Sequence, residues 1–161
     1  LLQLGLCLGD VDPGHPVYPH ASGFPSVVEL ISDGDNPPDT DDWHKDLTFK
    51  SDPPFASILL AVSVPPVGGD TLWANMSAVY EGLSAGWKAD IDQLFAVHDM
   101  GTFRNDYYRS GGISAVNQAL SEVGSALHKL VETHPISGLK YLNVNQAFTR
   151  HMLDLKQGQS D

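Results

Sequence analysis

His44 and Asp46 are separated by one residue. On a strand, side chains at i and i+2 leave the same face, so an imidazole and a carboxylate at this spacing reach one ion from one side. A second histidine from elsewhere would complete the two-histidine, one-carboxylate ligand set, which leaves three adjacent positions open and marks non-haem Fe(II) oxygenases. A closed zinc site favours cysteines or further histidines, and the chain has a single cysteine, Cys7. The tripeptide alone carries little information. With 7 His and 16 Asp in 161 residues, His-x-Asp arises by chance roughly 0.7 times. A solvated strand edge and a zinc-dependent hydrolase pair remain open on these residues alone; the hydrolase would turn over without O₂.

Other residues gain meaning only together. His15 and His20 sit beside prolines in His15-Pro16-Val17-Tyr18-Pro19-His20, ordinarily a surface loop. Thr71 is ordinarily a strand residue. Phe49, Phe148 and Trp43 are ordinarily core aromatics, with Trp43 buttressing the ligand strand. Gly68-Gly69 is first a turn, and the acidic run 39–42 is first a solvated loop.

Their order and spacing is what stands out. Asn36-Pro37-Pro38-Asp39-Thr40-Asp41-Asp42-Trp43-His44-Lys45-Asp46-Leu47-Thr48-Phe49 is followed by Gly68-Gly69-Asp70-Thr71-Leu72-Trp73. Trp-His-x-Asp-x-Thr-Phe with Gly-Gly-Asp-Thr downstream resembles the taurine dioxygenase family of Fe(II)- and 2-oxoglutarate-dependent dioxygenases. The His15–His20 stretch and Asn143-Val144-Asn145-Gln146-Ala147-Phe148-Thr149 resemble that family's upstream and downstream substrate loops. The likeness covers nearly the whole chain and is weakest over residues 102–130.

The resemblance implies that His44 and Asp46 are iron ligands and that the Thr71 hydroxyl binds a carboxylate of 2-oxoglutarate. It implies that His15 binds a sulfonate, that Tyr18 and Asp39 meet the substrate's amine end, and that Phe49 and Phe148 wall the pocket. Thr40 stands where the taurine-acting enzyme has asparagine, and Leu47 replaces a valine whose backbone faces the sulfonate. A protonated His15 would be the stronger donor to a sulfonate, although a neutral ring still donates one hydrogen bond. The second histidine ligand and the arginine that clamps 2-oxoglutarate are expected beyond this chain. His98, His128, His134 and His151 match neither motif.

The implied reaction hydroxylates taurine or a related sulfonate at the carbon next to sulfur. Sulfite and an aldehyde are released, while 2-oxoglutarate and O₂ become succinate and CO₂. Alternatives are a sister dioxygenase acting on alkyl sulfate esters or other sulfonates, and a non-catalytic β-sandwich binding module. The family also implies homo-oligomers.

The elements that must position these residues follow from composition and pattern. The 161 residues make about one domain, expected to be a single catalytic domain, residues 1–161, without its N- and C-terminal portions. Lys and Arg number 9 against 20 Asp and Glu, a net charge of −11, which argues against duplex nucleic acid and anionic membranes as partners. No uninterrupted apolar run approaches the ~18 residues of a spanning helix. One cysteine excludes an internal disulfide framework and suits a cytoplasmic location.

Residues 27–31, 43–49, 55–64 and 71–74 read as strands, with 55–64 the most buried, and residues 1–6 read as the middle of a buried segment. Ser77 and Ser84 can cap helices reaching Leu83 and about Val97. Val116, Leu120, Val123, Leu127, Leu130 and Val131 recur at helical spacing, predicting a helix over 114–132. Residues 133–145 read as a hairpin turning at Ser137-Gly138. The expected fold class is mainly β with helical insertions (α+β), a double-stranded β-helix or jelly roll that is incomplete here.

Overall fold

The computed structural model describes residues 1–15, 17–35, 37, 38 and 42–160. Helix α1 spans Leu2–Leu8. Strands β1 (His20–Ala21) and β2 (Phe24–Val28) form an antiparallel hairpin. Helices α2 (Met76–Gly82) and α3 (Ala85–Ile91) follow, then β3 (Phe95–Asp99) and α4 (Phe103–Glu122), which kinks at Gly111-Gly112. Strand β4 (Ser125–Lys129) leads to β5 (Val131–Thr133), β6 (Lys140–Leu142), β7 (Thr149–Met152) and α5 (Gln157–Ser160). The sheet β4-β3-β7 is antiparallel throughout, and β5 pairs antiparallel with β6. The architecture is thus mixed helix and sheet.

Two apolar clusters hold these elements. Leu47, Phe49, Met100, Ala119 and Phe148 form one, with Phe103 and Tyr107 of α4 packed on it. Tyr80, Ile91, Ala96, Leu130 and Val131 form the other, joining α2 and α3 to the two sheets. Helix α2 is capped by Asn75, whose Oδ1 accepts from the N–H groups of Ser77 and Ala78, so the cap lies two residues before the expected Ser77. Ser84 caps α3 through the Trp87 N–H as expected. The hairpin expected over 133–145 forms two to three residues earlier, from β5 to β6, its loop closed by Gly138 N–H to His134 O and His134 N–H to Leu139 O.

Four expectations are corrected. The helix over 114–132 ends at Glu122. Gly124 takes a left-handed φ of 65°, and burial then alternates through β4, with Ala126 and His128 inside and Ser125, Leu127 and Lys129 outside. Apolar spacing over 116–131 thus spliced a helix face to a strand face. The second early helix stops at Ile91 rather than near Val97, because β3 pairs with β4 from Phe95 onward. Residues 55–64 and 71–74 have strand composition but pair with no strand among the described residues, and Val62 is 91% exposed. Leu4, Leu6 and Leu8 are exposed on α1, which buries none of its residues, so the N-terminal run is not a core segment.

Candidate metal centre

Residues 43–49 are not a strand. Leu47 adopts a left-handed φ of 53° and the Lys50 N–H returns to the Leu47 carbonyl at 2.9 Å, so the chain turns where it was expected to run straight. Leu47, Thr48 and Phe49 are consecutively buried, which the alternation of a strand forbids. Trp43, expected in the core, is 54% exposed.

The turn nonetheless brings the two candidate ligands together. His44 Nε2 lies 3.5 Å from Asp46 Oδ1. His44 Nδ1 is 3.0 Å from the Asp42 carbonyl, and a carbonyl only accepts, so Nδ1 carries the proton and donates it there. A backbone acceptor on one ring nitrogen fixes the tautomer that frees the other for a metal. On the acid, Ser57 Oγ donates to Oδ2 at 2.6 Å, leaving Oδ1 turned toward the imidazole. Nε2 and the Asp46 carboxylate oxygen face each other across a gap that either a proton on Nε2 or a cation between them would bridge. Two donors each about 2.1 Å from one ion stand at most about 4.2 Å apart, so the observed separation accommodates one. Both side chains are partly open, 38% and 50% exposed. They line neither the hollow at Val97, Asp99, Arg104 and Arg150 nor that at Lys50, Glu122 and Val123. Among the described residues, no three His, Cys, Asp or Glu converge as a metal site.

Beneath the turn lies a polar floor. Thr48 Oγ1 pairs with His98 Nδ1 at 2.9 Å and accepts from Asn145 Nδ2 at 3.1 Å. His128 Nε2 donates to the carbonyls of Thr48 and Lys50 at 2.8 and 3.0 Å. His98 is fully buried. Burial, reinforced by the charges of His128 and Lys45, lowers its pKa to about 4, so it is neutral at physiological pH. His134 Nδ1 accepts from the N–H groups of Ile136 and Ser137, and His151 lies exposed on β7. None of these four histidines joins His44 and Asp46 in a metal cluster.

The substrate-side candidates partly assemble. The His15 ring lies 4.5 Å from Tyr18 and 5.1 Å from Phe103; Phe49 is 6.0 Å from Phe103 and 5.1 Å from Phe148, all centroid to centroid. Leu47, Phe49 and Phe148 share the adjoining core. His15 Nδ1 accepts from the N–H groups of Val17 and Tyr18 at 3.1 and 3.2 Å. That nitrogen therefore bears no proton, and the ring is neutral with its hydrogen on Nε2. Burial, opposed by the nearby Asp46 charge, holds its pKa down at about 4, so the protonated form is not the resting one. The loop carrying His15 is tied to the ligand turn by Lys50 Nζ and Asp12 Oδ2, 2.9 Å apart. It also packs tightly at Gly14, where a Cβ would stand 2.6 Å from both His20 Cε1 and the Pro25 carbonyl. Thr71 is exposed in a stretch without regular structure, and no described hydrogen bond joins it to His44 or Asp46. Asp39 and Thr40 lie outside the described residues.

His44 and Asp46 thus approach each other, with the His15, Tyr18 and Phe103 rings packed near the buried Phe49 and Phe148. The sequence profile described as "Taurine catabolism dioxygenase TauD, TfdA family" covers residues 3–161. The chain belongs to this family. It is 34% identical over 145 residues to an alpha-ketoglutarate-dependent sulfate ester dioxygenase of Pseudomonas putida, covering 84% of this chain and 46% of that protein. Against an alpha-ketoglutarate-dependent sulfonate dioxygenase of Saccharomyces cerevisiae, identity is 28% over 137 residues, 85% of this chain and 32% of the relative. The crystal structure of a taurine dioxygenase from Burkholderia xenovorans superposes with a TM-score of 0.74 at 30% identity, over 99% of this chain and 49% of that one. The chain thus spans half or less of the length of these relatives.

Residues missed by sequence reasoning are Ser57, Lys45 and Phe103. Ser57 lies inside an apolar run that nothing marks as polar in function. Lys45 is the variable position of the motif. Phe103 falls where the family likeness is weakest.

Proposed function

We propose that this chain is the iron-ligand-bearing part of an Fe(II)- and 2-oxoglutarate-dependent dioxygenase, a single catalytic domain that hydroxylates taurine or a related sulfonate next to sulfur and releases sulfite. The observation that carries the reading is the facing pair, His44 Nε2 and Asp46 Oδ1 at 3.5 Å, each oriented by a hydrogen bond on its other polar atom. Iron, 2-oxoglutarate and O₂ together supply the oxidising power for C–H hydroxylation.

The chain's own residues orient and select. His44 and Asp46 hold the ion from one side. His15 presents one Nε2–H to a sulfonate or sulfate oxygen, a neutral donor on an aromatic wall made by Tyr18, Phe103, Phe49 and Phe148. Tyr18 with Asp39 and Thr40 bounds the other end of the substrate, Leu47 contributes backbone beside the anion, and the Thr71 hydroxyl receives a carboxylate of 2-oxoglutarate. Apolar walls exclude water and strengthen each remaining polar contact. The jelly-roll core and the cytoplasmic location belong to this same reading, supported by the fold of the relatives and by the lone Cys7.

A second reading keeps the same chemistry on alkyl sulfate esters, supported by the likeness to the Pseudomonas putida enzyme. Succinate formation with Fe(II), O₂ and 2-oxoglutarate is measured against taurine, a linear alkanesulfonate and an alkyl sulfate. Stimulation by either sulfonate supports the first reading, and stimulation by the sulfate ester alone supports the second. Succinate that responds to none of the three contradicts both.

A further inference from the structure

Lys45 stands between the two candidate ligands, yet its side chain reaches Tyr141 and Asn143 rather than either of them. It is half-buried, with Nζ 3.1 Å from Asn143 Oδ1 and 3.4 Å from the Tyr141 hydroxyl. Nζ also lies 5.1 Å from the Tyr141 ring centroid. Asn143 is 2% exposed and passes the contact on, its Nδ2 donating to Glu132 Oε1 at 3.1 Å. The other carboxylate oxygen, Oε2, accepts from the Tyr141 hydroxyl at 2.6 Å. Glu132 and Tyr141 face each other across the β5–β6 ladder. One ammonium thus links the irregular turn to the most regular hairpin nearby. The polar floor beneath Thr48 and Phe49 holds the later half of the turn, and the Lys45 tether, with the Gln146 N–H on the Trp43 carbonyl at 3.2 Å, holds the half that carries His44 and Asp46.

We propose that Lys45 is a positioning residue for the metal pair, registering His44 and Asp46 by tethering the residue between them to Asn143, Tyr141 and Glu132. The proposal rests on the reading of His44 and Asp46 as metal ligands. It makes a sign prediction that electrostatics alone reverses. Removing a cation beside a dication site should tighten metal binding by Coulomb's law. Losing a tether that orients the ligands should loosen it, by roughly tenfold as for other outer-shell partners of a metal site.

The test is an Mn(II) titration followed by paramagnetic broadening of the His44 ring signals, which detects weak as well as tight binding, with thermal melting as the folding control. Wild type should show saturable broadening and Asp46→Ala none. Broadening absent from wild type, or unchanged in Asp46→Ala, removes the metal-pair reading and the proposal with it. With that reading intact, Lys45→Met should shift the midpoint roughly tenfold to higher Mn(II), and Lys45→Arg should recover part of the loss. A Lys45→Met midpoint equal to or below wild type overturns the tether. If Lys45→Met does not fold, Tyr141→Phe decides. It deletes a neutral hydroxyl at the hub of the same network, so weaker Mn(II) binding supports the tether and an unchanged midpoint refutes it.

Discussion

At the scale of single residues, the account turns on tautomers and lone pairs. On the proposed reading, His44 serves as a ligand because a backbone carbonyl occupies its Nδ1, and Asp46 because Ser57 occupies one of its oxygens. Ser57→Ala should leave folding intact, since Ser57 is exposed, and weaken metal affinity by about tenfold through loss of carboxylate orientation. Ser57→Thr should restore most of it, and an Fe(II) titration of the three proteins reads the difference. His15 gives a second test. With Nδ1 engaged by two backbone N–H groups, its ring should stay neutral until the pH approaches about 4, which ¹⁵N shifts of the imidazole report. An ordinary midpoint near 6.5 would contradict the geometry. The closeness of His44 and Asp46 is legible in their spacing, but its structural cause is not. A strand would have aligned His44 and Asp46 by its pleat, whereas a turn does so here, with Leu47 in the left-handed region. No pattern of residue types announces that conformation at a leucine.

At the scale of elements, the turn that carries Leu47 and Thr48 rests on a polar floor that helps hold it. Thr48 has no exposed surface, and its hydroxyl meets both His98 and Asn145. Thr48→Val keeps the shape and strands the buried His98 ring and the half-buried Asn145 amide, which should cost about 1–3 kcal/mol for a group left unsatisfied, read as a lower urea midpoint at unchanged slope. Phe49→Ala opens the aromatic cluster beneath the turn and should cost about 3–5 kcal/mol by the same measurement. Helix α3 and the hairpin around Ser137-Gly138 could be read from the sequence because capping and turn chemistry are local. Strands β3, β4 and β7 could not. Their signal is the pairing of Phe95 with Lys129 and of Val97 with His151, and long-range register leaves no short-range trace. The 55–64 run misled in the opposite direction, because strand composition states a propensity and a strand also needs a neighbour.

At the scale of the whole molecule, buried histidine ties stability to pH. His98 has its pKa lowered to about 4 from the ordinary 6.5. Below pH 6.5 the unfolded chain therefore takes up a proton that the folded chain refuses. Stability should be flat above about pH 7 and fall as pH drops through the window from 6.5 to 4, by up to about 3 kcal/mol from this residue. Chemical denaturation at several pH values checks it, and His98→Asn should lower the slope in that window while leaving the share of His15, whose pKa is lowered likewise. No helix of the described residues is long and apolar enough to cross a membrane. With half or less of its relatives' length, this chain brings His44 and Asp46 within 3.5 Å and packs His15 and Tyr18 on Phe103, which adjoins the buried Phe49 and Phe148.

The most direct measurement is anaerobic addition of Fe(II) and 2-oxoglutarate to the protein while the visible spectrum is recorded. The account predicts a charge-transfer band in wild type that is absent from both His44→Ala and Asp46→Ala. No band in wild type, or a band that survives either substitution undiminished, would contradict the assignment of this pair to iron.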